Sequence, residues 1–258
     1  MLQLLLGGSG SGKTTLLYQR IRARAEKGEK SILLVPEQFT SSTEGRIYRE
    51  LGDALSGMVE SFSFTSLAEK ILSTEGGAAV QTLSDAGRAV LVRRALEELQ
   101  DNVHYYHRHR RSAAFCQMAA QTIDELKSAG LSGQQLAGAC GAESGKLSEL
   151  ALIFQGYETL LARSGMDPSD RLELAGARLE EALARHSLPE FLRDRAVFID
   201  EFDTFNAPKK RLLGAMLAAL PSVTVALCDD GAPLLPGDLS LFSGAKQVAA
   251  QLRQLARK

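Results

Sequence analysis

Lys13 and Thr14 close the run Gly7-Gly8-Ser9-Gly10-Ser11-Gly12-Lys13-Thr14, which fits the spacing G-x-x-x-x-G-K-[ST]. That spacing serves the holding of a phosphate chain. Glycines let successive backbone N–H groups turn toward one concave spot, the lysine adds a mobile positive charge, and the hydroxyl can enter a Mg²⁺ shell. Gly7, Gly10 and Gly12 are expected to take positive φ and to approach oxygen closely, with Gly8, Ser9, Ser11 and Thr15 completing the cradle. ATP or GTP binding follows as the expectation, with ATP and Mg²⁺ as cofactors. A second chemical cluster closes Val197-Phe198-Ile199-Asp200-Glu201. Asp200 is placed to hold Mg²⁺ directly or through water, and Glu201 to orient or deprotonate an attacking water. Helix capping for Asp200 and a solvated acid for Glu201 are the plainer alternatives. Asp229 and Asp230 either sense a terminal phosphate or form a surface turn before Gly231.

Such groups need a frame that brings distant residues to one edge, and the apolar pattern supplies it. Residues 2–6 read as a strand feeding the glycine turn, with a helix over 14–27. Residues 31–35, ended by Pro36, read as a buried parallel strand; 58–64 carry another short strand signal, followed by a helix over 66–73. Residues 196–199 and 223–227 are two more strands, separated by a helix over 208–219 and followed by one over 243–257. Asp200 is thereby expected at the end of a strand neighbouring the loop strand. Between 84 and 186 strand signals vanish. Ala89, Val92, Leu96 and Leu99 make one helical stripe capped by Ser84 or Asp85; Phe115, Met118, Ala119, Thr122, Ile123 and Leu126 make a second, and 147–161 and 171–184 two more. The expected fold class is α/β, a P-loop NTPase of parallel, doubly wound sheet over 1–80 and 188–258, with an all-helical insertion over 81–187.

Bulk properties narrow the partners. A chain of 258 residues can bury a substantial core. A net charge of −1 gives no global basic field, so any contact with nucleic acid must be local. No apolar run approaches a membrane span, and the chain reads as cytoplasmic with no membrane partner. Cys116, Cys140 and Cys228 are too few and too widely spaced for a disulfide framework, zinc site or iron–sulfur cluster.

Residues 197–205 resemble the acidic segment of the superfamily 1 helicases related to UvrD and RecB, as Ser63-Phe64-Thr65-Ser66-Leu67-Ala68 resembles the motif after their third strand. Four further segments are similar to the AddB family, one of the two kinds of subunit in the bacterial ATP-dependent helicase/deoxyribonuclease AddAB. They are Leu33-Leu34-Val35-Pro36-Glu37-Gln38-Phe39-Thr40, residues 123–131, residues 157–170, and Asp238-Leu239-Ser240-Leu241-Phe242-Ser243. Their order agrees with that family and the likeness covers most of the chain. It implies a RecA-like ATP-binding domain of the 1A type with a 1B-like helical insertion. It implies a role in double-strand break repair by recombination, with an AddA-type helicase/nuclease partner. It also implies contact with DNA, expected to be single-stranded and read without sequence preference, from loops at 40–43 and 63–65. Lys13, Thr14, Asp200 and Glu201 take the nucleotide roles. AddB proteins are longer and end in a nuclease domain with iron–sulfur cysteines, so the likeness implies an N-terminal portion. AddB-like proteins often lack the Glu after the acidic-segment Asp, whereas Glu201 stands here. Few residues precede Gly7, too few for the glutamine motif with which active relatives read adenine.

His104-Tyr105-Tyr106-His107-Arg108-His109-Arg110-Arg111 is the densest basic and aromatic stretch. It suits single-stranded nucleic acid or serves as a solvated connection between helices. Two rival functions remain open at this point: a small-molecule phosphotransferase with Arg93, Arg94 or the Arg108 to Arg111 cluster on a helical lid, and a structural module with a vestigial nucleotide site.

Overall fold

The computed structural model describes residues 1–140 and 145–257. The chain divides into two compact units: residues 1–76, 174–205 and 209–258 make the first, and 77–173 with 206–208 the second.

The first unit is built on five parallel strands: β1 (Leu2–Gly7), β2 (Ser31–Leu34), β3 (Val59–Phe62), β4 (Ala196–Ile199) and β5 (Ser222–Cys228). Their order is β1-β5-β4-β2-β3. All four residues of β2 and of β4 are buried, as strands covered on both faces require. The helices are α1 (Lys13–Ala25), α2 (Thr40–Leu51), α3 (Asp53–Ser56), α4 (Phe64–Glu75), part of α9 (Pro168–Ala184), most of α10 (Ala207–Ala219) and α11 (Ser243–Leu255). Leu17, Tyr18 and Ile21 of α1 and Ile47 and Leu51 of α2 pack with Leu33, Val35 and Phe198 in one apolar cluster.

Strand order is where the sequence expectation needs correction. β5 pairs with β1 from Leu2↔Val223 to Gly7↔Cys228 and on its other side with β4. β4 therefore does not neighbour the loop strand; β5 stands between them. Seven residues of β5, five of them buried, pair along both partners, and such long-range pairing leaves no mark on local periodicity.

The second unit is helical: α5 (Asp85–Glu98), α6 (Ala113–Ser128), α7 (Gly133–Ala139), α8 (Gly145–Ser164) and the first turn of α9. Ser84 caps α5, its hydroxyl accepting from the Gly87 N–H. Leu91, Val92, Ala95 and Leu96 pack against Cys116, Ala119, Ala120 and Ile123 and against Ile153, Phe154 and Tyr157. The second stripe is corrected here. Met118 is 56% exposed, and Cys116 and Ala120 take the core positions, because the helix turns its small residues toward the close-packed partner helices. The three cysteines are unpaired. No helix among the described residues is long and apolar enough to cross a membrane.

Candidate functional site

The glycine turn leaves the carboxyl end of β1 and opens α1, with Gly12 as its left-handed N-cap (φ 87°). Gly10 also has positive φ (72°). Gly7 does not. It is the last residue of β1, where a Cβ would stand 2.6 Å from Ser11 Oγ and 3.2 Å from Ser11 Cβ, so any larger residue makes Ser11 shift. Lys13 Nζ donates to the carbonyls of Gly7 (2.8 Å) and Gly8 (2.7 Å), so its ammonium sits across the mouth of the turn. Ser9, Gly10, Ser11, Gly12 and Thr15 are exposed, and Gly8, Lys13 and Thr14 half-buried.

Two clefts flank this turn. The smaller, about 180 Å³, is lined by Thr14 and Tyr18 from α1, Thr43, Arg46 and Arg49 from α2, and Asp200 and Glu201 beyond β4. α1 packs against β1, β5 and β2, and so carries Thr14 toward the β4 end despite the intervening strand. Asp200 is 6% exposed. Its Oδ1 accepts from the Glu201 N–H at 3.0 Å, while Oδ2 has no hydrogen-bond partner in the protein. Glu201 is exposed and holds φ 67°, a left-handed conformation that costs a non-glycine residue about 1 kcal/mol. The Arg46 guanidinium lies 5.0 Å over the Tyr18 ring. Burial pushes the Tyr18 hydroxyl up to about 12, against the opposing pull of Arg46. Arg46 and Arg49 are cleft residues that motif reading missed; the available signal was two cations three apart on one helix just after a strand.

The larger cleft, about 620 Å³, is lined by Gly7 and Gly8, by Asp229 and Asp230 at the end of β5, and by Phe242, Lys246 and Arg253. The Asp229 N–H donates to the Gly7 carbonyl (3.0 Å), and its carboxylate accepts from the Gly231 N–H (2.7 Å). Asp230 is paired with the buried Lys246 at 2.7 Å, which holds its carboxyl below the usual carboxylate range. Asp229 therefore lies nearest the turn along the sheet, and Asp230 is engaged in fixing the following loop to α11.

The chemistry of these donors fits a magnesium-bound triphosphate. A buried carboxylate oxygen without a partner and a threonine lining the same cleft are sources of hard oxygen ligands, and Mg²⁺ at such sites draws most of its shell from phosphate and water. Among the described residues no cluster of three or more His, Cys, Asp or Glu suits a metal ion.

Other expected residues are distributed differently. Thr40 and Thr43 lie in α2 and not in a loop, because the chain turns helical directly after the single 3₁₀ turn Glu37–Phe39; the Thr40 hydroxyl is spent on the Glu37 carbonyl. Ser63 caps α4 in a reciprocal pair with Ser66. Beside it a cleft of about 260 Å³ is lined by Pro36, Glu37, Gln38, Phe64, Thr65 and Lys209. Arg93 and Arg94 pair with Glu97 and Glu98 one turn on along α5, on its exposed face.

Five parallel strands flanked by helices, with a glycine turn at the carboxyl end of the first, define an α/β unit of Rossmann-like class. More particularly, residues 4–258 match the family described as "ADDB, N-terminal", and the chain belongs to that family. It is similar to proteins that carry the name of an ATP-dependent helicase/deoxyribonuclease subunit, the one designated B, in three bacteria. These are Moorella thermoacetica (33% identical, covering 99% of this chain and 23% of the relative), Desulforudis audaxviator (33%, 100% and 22%) and Clostridium perfringens strain 13 (29%, 100% and 22%). The chain thus spans under a quarter of the length of these relatives.

Proposed function

We propose that the α/β unit binds Mg·ATP and forms the ATP-binding, helicase-like part of a DNA helicase/exonuclease subunit, acting with an AddA-type partner on broken DNA ends during recombinational repair. The observation that carries the reading is the buried, unpartnered Oδ2 of Asp200 in the cleft it shares with Thr14. Burying such an atom without a partner costs about 1–3 kcal/mol, and a ligand that engages it recovers that cost. Thr14 and Asp200 would hold Mg²⁺, which when bound neutralises phosphate charge. Lys13 exchanges its two carbonyl partners for phosphate oxygens, the N–H groups of residues 8–15 line the chain, and the larger cleft has room for the nucleoside half.

In this reading residues 1–80 and 188–258 are a RecA-like domain of the 1A type and 81–187 a 1B-like insertion; the parallel strand order and the all-helical character of 77–173 support the two kinds of domain, while residues 174–187 group with the α/β unit. Single-stranded DNA crosses the cleft at Gln38, Ser63 and Thr65, held through its phosphates and not by sequence. Glu201 orients the attacking water. A motor clamps ATP between two such domains, and the described residues hold one sheet, so the isolated chain binds nucleotide with negligible turnover and does not unwind DNA.

The test is equilibrium binding and hydrolysis of Mg·ATP by the 258-residue chain, with and without single-stranded DNA, beside Lys13→Ala. Binding lost in Lys13→Ala with negligible turnover supports the reading. DNA-stimulated turnover lost in the same variant makes this unit a working motor half. A parent chain that binds no nucleotide overturns it.

A further inference from the structure

We propose that the segment 104–111 of the helical unit is a docking site for single-stranded nucleic acid, with Arg108 and Arg111 as phosphate contacts and Tyr105 as a stacking face. It rests on the reading that the chain acts on DNA, but not on nucleotide binding.

Charge makes the first argument. No Asp or Glu occurs from Asn102 through Ile123, while three arginines and three histidines fall within eight residues. Arg110 is turned inward onto His107, meeting its ring nitrogen and, at 3.1 Å, its carbonyl. Arg108 and Arg111 are exposed, and among the described residues neither pairs with a carboxylate. On a chain of net charge −1, such a local excess favours a polyanion.

The second argument is that this surface is built. Only the single 3₁₀ turn His107–His109 lies between α5 and α6, yet the segment is anchored from beneath by Glu149 of α8, itself 6% exposed. Its Oε1 accepts from the N–H groups of His104 (2.7 Å) and Tyr105 (3.0 Å), and its Oε2 from Tyr105 (2.9 Å) and Tyr106 (3.2 Å). Three successive N–H groups around one carboxylate fix the backbone of a stretch that has no ladder of its own. Tyr106 stacks on Phe115 with centroids 5.2 Å apart, and His109 lies 5.5 Å from the same ring. Tyr105 is left facing out, 57% exposed, its other side against Gly145, where a Cβ would come within 2.7 Å of Cε2. An exposed aromatic face in the same anchored segment as two exposed guanidinium groups that pair with no carboxylate among the described residues matches a ligand that presents both phosphates and open bases. A duplex hides its bases from Tyr105, and an acidic protein segment offers none.

The test is fluorescence anisotropy of a labelled oligothymidylate of about 16 nucleotides with the 258-residue chain, without nucleotide and across a KCl series. The double variant Arg108→Gln/Arg111→Gln is expected to bind more weakly and to lower the slope of log K against log[KCl] by about 1.4, two contacts at about 0.7 each. Tyr105→Ala is expected to lose about tenfold in affinity with the slope unchanged, and Tyr105→Phe to restore it. All variants should melt with the parent and keep its Mg·ATP affinity, which separates this site from the nucleotide cleft. Three results overturn the inference: variants that bind like the parent, a parent that binds Mg·ATP but no oligonucleotide, or duplex bound as tightly as single strand with Tyr105→Ala silent.

Discussion

Asp167 in the helical unit and Asp200 in the α/β unit are both carboxylates taken out of water, 1% and 6% exposed, and they are treated in opposite ways. Asp167 Oδ1 accepts from the Tyr157 hydroxyl at 2.6 Å, and Oδ2 from Lys127 Nζ at 2.8 Å. Lys127 is shared with Asp170 at 2.7 Å. Burial alone would lower the Lys127 ammonium, but its two carboxylate partners prevail and hold it above the usual lysine range. Burial and the Asp167 hydrogen bond push the Tyr157 hydroxyl far up. Asp200 has one backbone N–H on Oδ1 and nothing on Oδ2. A closed set of partners specifies packing; under the proposed function the open one is completed by a ligand. The contrast gives a way to test which acid is structural and which functional where burial alone does not.

The largest effect expected from that contrast lies in the closed network. Lys127→Met removes the ion-pair partner of the buried Asp167 and is expected to destabilise the helical unit by about 3–5 kcal/mol. Urea unfolding followed by circular dichroism reads this directly. A loss under about 1 kcal/mol would mean that the network contributes register and not stability.

Asp200→Asn is the matched change at the open acid. With no partner on Oδ2 to lose, stability should hold or rise, while Mg·ATP affinity drops at least about tenfold, about 1.4 kcal/mol, for loss of a charged ligand. If Asp200→Asn instead melts early with nucleotide affinity intact, Asp200 belongs with Asp167 as a structural acid.

Glu149 sharpens the comparison through pH. Burial disfavours its charge, but the N–H groups of Tyr105, His104 and Tyr106 outweigh that and hold the carboxyl below the usual glutamate range. A depressed folded value means the contribution is complete above the unfolded value of about 4.3 and is lost as pH falls through the lower folded value. The helical unit should therefore lose stability below about pH 4 in the parent more than in Glu149→Gln, which starts less stable. Parallel pH curves for the two proteins would remove Glu149 as the anchor of segment 104–111.

How far the sequence foretold this molecule follows the same division. The glycine turn and the apolar runs of β1, β2, β4 and β5 are local signals and were legible. The placement of β5 between β1 and β4 was not, since it arises from pairing between the two ends of the chain, Leu2 with Val223. α2 escaped because its buried stripe is only Thr43, Ile47 and Leu51, a spacing of four with a polar member, directly after a segment that reads as a loop. Glu149 left a faint trace in the sequence: an acid four residues before Ile153, on the buried face of α8. The open valence of Asp200 has no sequence signature, because it consists of what is missing around one oxygen.

The smallest expected effect concerns Glu201, whose φ of 67° sets backbone against side chain in a single residue. Asp200 Oδ1 accepts its N–H, so the left-handed turn and the orientation of the open acid are one local structure. Glycine takes this conformation without the Cβ penalty, and Glu201→Gly should raise stability by about 0.5–1 kcal/mol. Glu201→Ala keeps the Cβ and should leave stability within about 0.5 kcal/mol of the parent, so the pair isolates strain from carboxylate. Both remove the acid, and both should abolish whatever ATP turnover the chain shows while leaving Mg·ATP affinity within a few-fold. Stabilisation by glycine with turnover lost in both variants means that the α/β unit accepts strain at Glu201 to aim a reactive acid. Stabilisation with turnover unchanged in either would reduce the turn to a means of pointing Asp200 alone.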